Sequence, residues 1–294
     1  MKIVRQSLLL FTLLCSFNFC FGQTEALKNE IETIIRGKDL KLGFALYDFS
    51  TGKKIAIHGN DRFPMQSVFK FPIGVALLDC AGKGEFSLKD TVTLTNADLS
   101  PDLWSPIRER WPDGVRLPVV DVLTYMVAHS DNSATDFLIR KMGGTARIQS
   151  IVNSLGAKKI NIRNTEQEIQ ATWPVQFDNW TTPNAMIHFL RLMNRGKLLN
   201  KENTAMLWDI MTNTSTGSVS RLVPETVIFA RKTGYSGVNS QGIIAAQNDV
   251  GIIEFEDGRR VAYALFLTDS TLGVDAGYEI IARIGKAIWK AYEQ

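Results

Sequence analysis

A serine hydroxyl becomes a nucleophile only when a neighbouring base takes its proton. In Ser67-Val68-Phe69-Lys70 a lysine stands three residues after a serine, close enough on a helix for its amine to reach the hydroxyl. The spacing predicts a helix opening at Ser67, where the serine's own N–H is unpaired and available to a developing oxyanion. Taken alone, the tetrapeptide is equally a serine N-cap followed by a surface lysine. Ser130-Asp131-Asn132 offers a hydroxyl for proton relay and an amide for a substrate carbonyl, though all three residue types are also ordinary helix caps. Lys232-Thr233-Gly234 ends a strand-like run with a cation and a hydroxyl suited to a carboxylate, and a glycine that lets a ligand approach the backbone. It too reads alone as a strand running into a turn. A fourth residue, Glu166, lies in an aperiodic stretch reaching Trp180, with Glu168 as its rival two positions on.

Elements from distant parts of the chain must bring these residues together. Leu42–Phe49 and Lys54–His58 read as strands joined by the turn Ser50-Thr51-Gly52. Helical spacing marks Glu25–Arg36, Ser67–Lys83, Val119–His129, Ser133–Lys141, Thr145–Leu155, Pro183–Arg195 and Lys201–Met211. Strand patterns return at Thr226–Lys232, Gly242–Ala246, Gly251–Glu256 and Val261–Thr268, with Asp257-Gly258 as a hairpin turn, before a last amphipathic helix over Ala276–Tyr292. Strands at both ends with helices between predict an α+β fold, one antiparallel sheet built from both termini with an all-helical lobe inserted. The expected division is a sheet lobe over about 23–62 and 213–294 and a helical lobe over about 63–212, with the site in the cleft between them.

The first 22 residues stand apart. Lys2 and Arg5 precede the apolar run Leu8–Cys15, and a cut near Gly22 or Gln23 would suit a secretory signal peptide. The expected mature chain, 23–294, is exported to the periplasm and has no membrane anchor. Without Lys2 and Arg5 its formal charge is +1 rather than +3, which leaves no electrostatic footprint for nucleic acid. Of three cysteines only Cys80 remains, so the fold must stand without an internal disulfide. Three scattered histidines give no zinc-ligand spacing, and no metal or other cofactor is expected.

Ser-x-x-Lys, then Ser-Asp-Asn about sixty residues on, then Lys-Thr-Gly about a hundred further, is the ordered set shared by class A β-lactamases and penicillin-binding proteins. Over essentially its whole mature length the chain resembles that superfamily. Asn164-Thr165-Glu166-Gln167-Glu168-Ile169-Gln170 resembles the omega loop of the class A enzymes, whose glutamate activates the deacylating water. That implies a serine β-lactamase acting on penicillins and cephalosporins. Ser67 is then the nucleophile, Lys70 and Glu166 share the proton work of acylation, and Ser130 protonates the leaving nitrogen. Asn132 would bind the acyl amide and Lys232 and Thr233 the carboxylate, with the amides of Ser67 and Ser236 as the oxyanion hole. His129 has no role.

Phe63-Pro64-Met65-Gln66, Trp104-Ser105-Pro106-Ile107, Asn179-Trp180 and Gln247-Asn248-Asp249-Val250-Gly251 are similar to the extended-spectrum branch that includes the PER and VEB types. Several positions depart from the common pattern. Val250 stands where many relatives have a carboxylate-binding arginine, with Arg221 the possible substitute or else a solvated loop charge. Asn164 and Asn179 replace an arginine–aspartate pair, and Gln170 stands where an asparagine helps hold the water. A wider loop admitting oxyimino cephalosporins is one reading of these changes, which Tyr235 works against. Trp104 is either a wall of the cleft or a core residue. The expected partner is a small β-lactam, the expected state a monomer. The alternatives are a D,D-peptidase of the penicillin-binding type and a β-lactam-binding domain that does not hydrolyse.

Overall fold

The computed structural model describes residues 24–293. The leader expected over residues 1–22, with Cys15 and Cys20, lies outside them. Strand β1 (Lys41–Asp48) is buried along almost its whole length, as a strand covered on both faces should be. It pairs on one side with β2 (Lys54–Ile57) and on the other with β10 (Arg260–Thr268), in register from Lys41↔Thr268 to Asp48↔Val261. Strands β9 (Gln247–Glu254) and β8 (Ile228–Tyr235) complete the order β2-β1-β10-β9-β8, antiparallel throughout, so the first and last strands of the chain share one sheet. With helices filling the sequence between β2 and β8, the fold is α+β, as expected.

One strand expectation fails. Gly242–Ala246 is not a strand beyond a single bridge from Ile244 to Ser270, although Ile244, Ala245 and Ala246 are fully buried. Side chains replace the ladder there: Ser236 Oγ accepts the Ala246 N–H at 3.0 Å and Thr268 Oγ1 donates to Ala245 O at 2.7 Å. The strand begins instead at Gln247, four residues ahead of the expected Gly251, and so takes the polar run Gln247-Asn248-Asp249 into the interior.

One face of the sheet is closed by the helix over residues 24–35 (α1) and by α10 (Val274–Tyr292). Leu27, Ile31, Ile280, Ile284 and Ile288 pack there on Phe44, Leu46, Tyr263 and Leu265. The opposite face carries the helical region, whose centre is α2 (Lys70–Gly82). This helix is apolar nearly all round, the composition of a helix buried on every side. Its Cys80 is buried, and burial pushes the thiol up to about 11, which leaves it protonated and unreactive. Around α2 pack α4 (Val119–Ala128), α6 (Thr145–Ser154) and α9 (Lys201–Thr212), while α5 (Asn132–Lys141) packs on α4 and α8 (Pro183–Asn194) lies against β1 and β10. Among the described residues no helix is long and apolar enough to cross a membrane.

Smaller elements absent from the sequence reading shape the cleft. A hairpin of β4 (Thr91–Leu94) and β5 (Val115–Pro118) flanks α3 (Pro106–Arg110), whose N-cap is Ser105. The stretch read as aperiodic contains α7 (Glu166–Ala171) and a 3-10 turn (Trp173–Asp178), and its ends are joined by the short strands β3 (Phe63–Pro64), β7 (Trp180–Thr181) and β6 (Ile160–Asn161).

Candidate active site

Ser67 does not open an α-helix. It sits in a single 3-10 turn (Gln66–Phe69) entered by Gln66 with φ +46°, and α2 begins only at Lys70. The tighter turn still brings Lys70 Nζ to 3.0 Å from Ser67 Oγ. Lys70 is fully buried and works as a hub: its amine also lies 2.8 Å from Ser130 O, 3.3 Å from Ser130 Oγ, 2.5 Å from Asn132 Oδ1 and 2.8 Å from Glu166 Oε1. Glu166 Oε1 stands 3.4 Å from Ser67 Oγ. A buried carboxylate and ammonium are tolerable only when paired and hydrogen-bonded, and this pair is both.

The Ser130-Asp131-Asn132 motif divides its work. Asp131 is the N-cap of α5, accepting from the Ala134 N–H, and it also accepts from the Ile107 N–H and the Ser105 hydroxyl, tying α3 to this turn. Asn132 N–H donates to Trp104 O at 3.0 Å. Asp131 is thus the cap of the three, while Ser130 and Asn132 line the cleft. Ser130 takes φ +57°, a costly conformation for a residue with a side chain. There its hydroxyl lies between two amines, Lys70 at 3.3 Å and Lys232 at 3.0 Å. Burial, and then the neighbouring Lys70, hold the Lys232 amine well below the ordinary lysine range. An arriving carboxylate would offset both effects.

Gly234 lets β8 lie against the nucleophile turn: a Cβ there would fall 2.5 Å from Met65 O and 3.2 Å from Ser67 N. The register also decides which amide of this strand faces the cleft. Ser236 lines the cavity, but its N–H already donates to Ala246 O. Hydrogen bonding alternates along an antiparallel pair, so the preceding amide, that of Tyr235, points away from β9. Since β8 is the edge strand, that amide faces the cleft.

Arg221 does not reach the cleft. It pairs with Glu279 of α10 in an exposed ion pair, and the wall at that end is formed by Thr216, Gly217 and Ser218. Val250 is buried opposite Lys232. What that end presents to the cleft is the hydroxyl pair Thr216–Thr233, 2.6 Å apart. Trp104 is 57% exposed and lines the cavity with Gln170, so it is wall and not core.

Glu168 is a capping residue. It accepts the Thr165 N–H at 2.8 Å while Thr165 Oγ1 accepts the Glu168 N–H, a reciprocal box that starts α7. Glu166 itself is buried and turned inward. The omega segment is also closed at its neck without a salt bridge: Asn179 Oδ1 accepts the N–H groups of Arg163 and Asn164, and its amide donates to Asn164 O at 2.9 Å. Among the described residues no cluster of acidic, histidine or cysteine side chains is arranged to hold a metal.

A family model described as "Beta-lactamase enzyme family" matches residues 26–292. The chain belongs to this family. It is 37% identical over 298 residues to the β-lactamase VEB-1 of Pseudomonas aeruginosa, covering 99% of both chains. To the extended-spectrum β-lactamase PER-1 of Pseudomonas aeruginosa it is 33% identical, covering 98% of this chain and 94% of the relative. The crystal structure of the TLA-1 extended-spectrum β-lactamase matches 92% of this chain and 99% of its own, with 35% identity and a TM-score of 0.89.

As a class A serine β-lactamase, the chain carries two residues that reading the sequence missed. One is Asp136, buried on α5 and accepting the N–H groups of Glu166 at 2.7 Å and Gln167 at 3.0 Å. Burial pushes its carboxyl up to about 6. Its spacing of four from Asn132 puts both on one helix face, a signal present in the sequence. The other is the amide of Tyr235, a residue weighed above only for its side chain, and an amide's direction can be recognised only from strand register.

Proposed function

We propose that this chain hydrolyses the β-lactam amide bond of penicillins and cephalosporins through an acyl-enzyme on Ser67, released by water that Glu166 activates, and so confers antibiotic resistance. The observation that carries the reading is the meeting of Ser67, Lys70 and Glu166 around one buried amine. Ser67 Oγ attacks the lactam carbonyl as its proton passes to the Lys70–Glu166 pair, and the amides of Ser67 and Tyr235 stabilise the oxyanion. When the C–N bond breaks, Ser130 gives its proton to the lactam nitrogen, and the lysines on either side of Ser130 support its recharging. In deacylation Glu166 takes a proton from water, the hydroxide attacks the ester carbonyl, and Ser67 Oγ leaves as it regains a proton. Lys232, Thr233 and Thr216 bind the substrate carboxylate, while Asn132, with Trp104 and Gln170 at the rim, receives the acyl side chain. No cofactor takes part.

The substrate range we propose includes extended-spectrum cephalosporins. The support is the naming of the PER-1 and TLA-1 relatives and a cleft of about 630 Å³, ample for a bulky acyl chain. The protein works as an exported periplasmic monomer, with the leader over 1–22 removed and the two lobes divided near 62 and 213. Purified mature protein should turn over a chromogenic cephalosporin, and Glu166→Ala should accumulate an acyl-enzyme one substrate mass heavier by mass spectrometry. Normal turnover by Glu166→Ala would remove the deacylation role. A lasting adduct on the unmodified protein would make it a penicillin-binding protein instead.

A further inference from the structure

Beyond Thr233 the cleft continues to α10. Tyr235 follows Thr233 by two residues on the same strand, so their side chains share a face about 7 Å apart. The Tyr235 ring is 39% exposed and lies against Tyr278 of α10, centroids 6.2 Å apart and tilted by 45°. Both line the cavity, with the buried Ile281 at their foot and Gly237 alongside. Tyr278 is partly buried against the core and Tyr235 is exposed, so the two rings together present one partly open aromatic face to the cleft. No group of the catalytic cycle above uses either ring.

Resting on the functional reading above, we infer that Tyr235 and Tyr278 form a shelf selecting substrates with a planar heteroaromatic substituent on the ring carbon beside the one bearing the carboxylate. With the carboxylate held at Thr216 and Thr233, a substituent one carbon away extends toward the tyrosines, while the acyl side chain leaves in the opposite direction toward Asn132 and Trp104. Offset or edge-on contact with two rings favours a flat aromatic group over an alkyl group of similar size. The shelf touches neither the lactam carbonyl nor the departing nitrogen, so its effect falls on KM and leaves kcat in place.

The test uses two cephalosporins with one acyl chain, bearing either a methyl or a heteroarylthiomethyl group at that carbon. Each is measured with the wild type, Tyr278→Leu and Tyr278→Phe. The leucine variant keeps apolar bulk and loses the ring; the phenylalanine variant keeps the ring. Tyr278→Leu should lower the preference for the heteroaryl substrate, as the ratio of kcat/KM values, by about three- to ten-fold, through KM, and Tyr278→Phe should keep it. An unchanged ratio in Tyr278→Leu, or a change carried by kcat, overturns the shelf while leaving β-lactam hydrolysis standing. Failure of the wild type to turn over either substrate overturns the functional reading and the shelf with it.

Discussion

Asp136 holds Glu166, the residue we propose activates the deacylating water, by its backbone and not by its side chain. Two N–H donors at the start of α7 have this one carboxyl as their acceptor, at 2.7 and 3.0 Å. Removing it leaves the buried Glu166 N–H without an acceptor, at about 1–3 kcal/mol, and frees the part-buried Gln167 N–H to turn to water. The strain therefore relaxes most readily by moving α7. Asp136→Ala should therefore slow release of the acyl-enzyme more than its formation. We expect kcat to fall about 10- to 100-fold with a covalent adduct visible by mass spectrometry at steady state, and a turnover rate like the wild type's would show that α7 is held by other means. The three signature motifs made it legible that Ser67, Lys70, Ser130 and Lys232 would meet, because each motif names its residues by type and spacing. Asp136 offered only its spacing of four from Asn132, which does not reveal that it accepts backbone groups, and an N–H on a strand edge carries no residue-type signal at all. Of the two readings left open for Arg221, the structure shows the solvated charge, and only the fold could decide it, because a cation pairs with whichever acid is nearest in space, here Glu279.

At the level of elements, helices and outer strands were legible from periodicity, and the failures fall where side chains stand in for backbone partners. Gly242–Ala246 has the apolar content of a strand, yet Ser236 and Thr268 take its amide and carbonyl. The reverse holds for Gln247-Asn248-Asp249, whose polarity argues for a turn but which is interior strand, with Asn248 donating to Pro64 O and Met65 O. Those two bonds from β9 and the missing Cβ of Gly234 on β8 together hold this side of the sheet against the Ser67 turn. A methyl group at Gly234 would meet the carbonyl of Met65 at 2.5 Å, a contact that only backbone movement can relieve. Gly234→Ala should separate β8 from the turn and pull apart the amides of Ser67 and Tyr235, which we propose hold the oxyanion. The expected result is a loss of about 100-fold or more in acylation rate with a melting temperature lowered by several degrees. Measured by stopped-flow acylation, an unaltered rate would mean that the strand yields without disturbing Ser67.

Across the whole molecule, burial sets a pH dependence that works against the usual acid instability of proteins. Asp249 lies inside the sheet with one oxygen accepting from the Tyr263 hydroxyl at 2.7 Å and the other without a partner, and burial pushes its carboxyl up to about 6. Asp136 is pushed up to about 6 as well, again chiefly by burial. In the unfolded chain both titrate near the ordinary aspartate value of about 3.9. Between about pH 4 and pH 6 the native state thus binds more protons than the unfolded state. The contribution of these two groups to stability is complete below the unfolded value and is lost as pH rises through about 6. Asp249→Asn removes one of the groups while keeping the oxygen that Tyr263 uses. Denaturant melts at intervals from pH 4 to pH 7.5 should show the variant gaining on the wild type as pH rises, by about 1–3 kcal/mol at the upper end. A constant difference across that range would mean that Arg231, which draws the Asp249 carboxyl down, offsets burial and keeps the group ionised throughout.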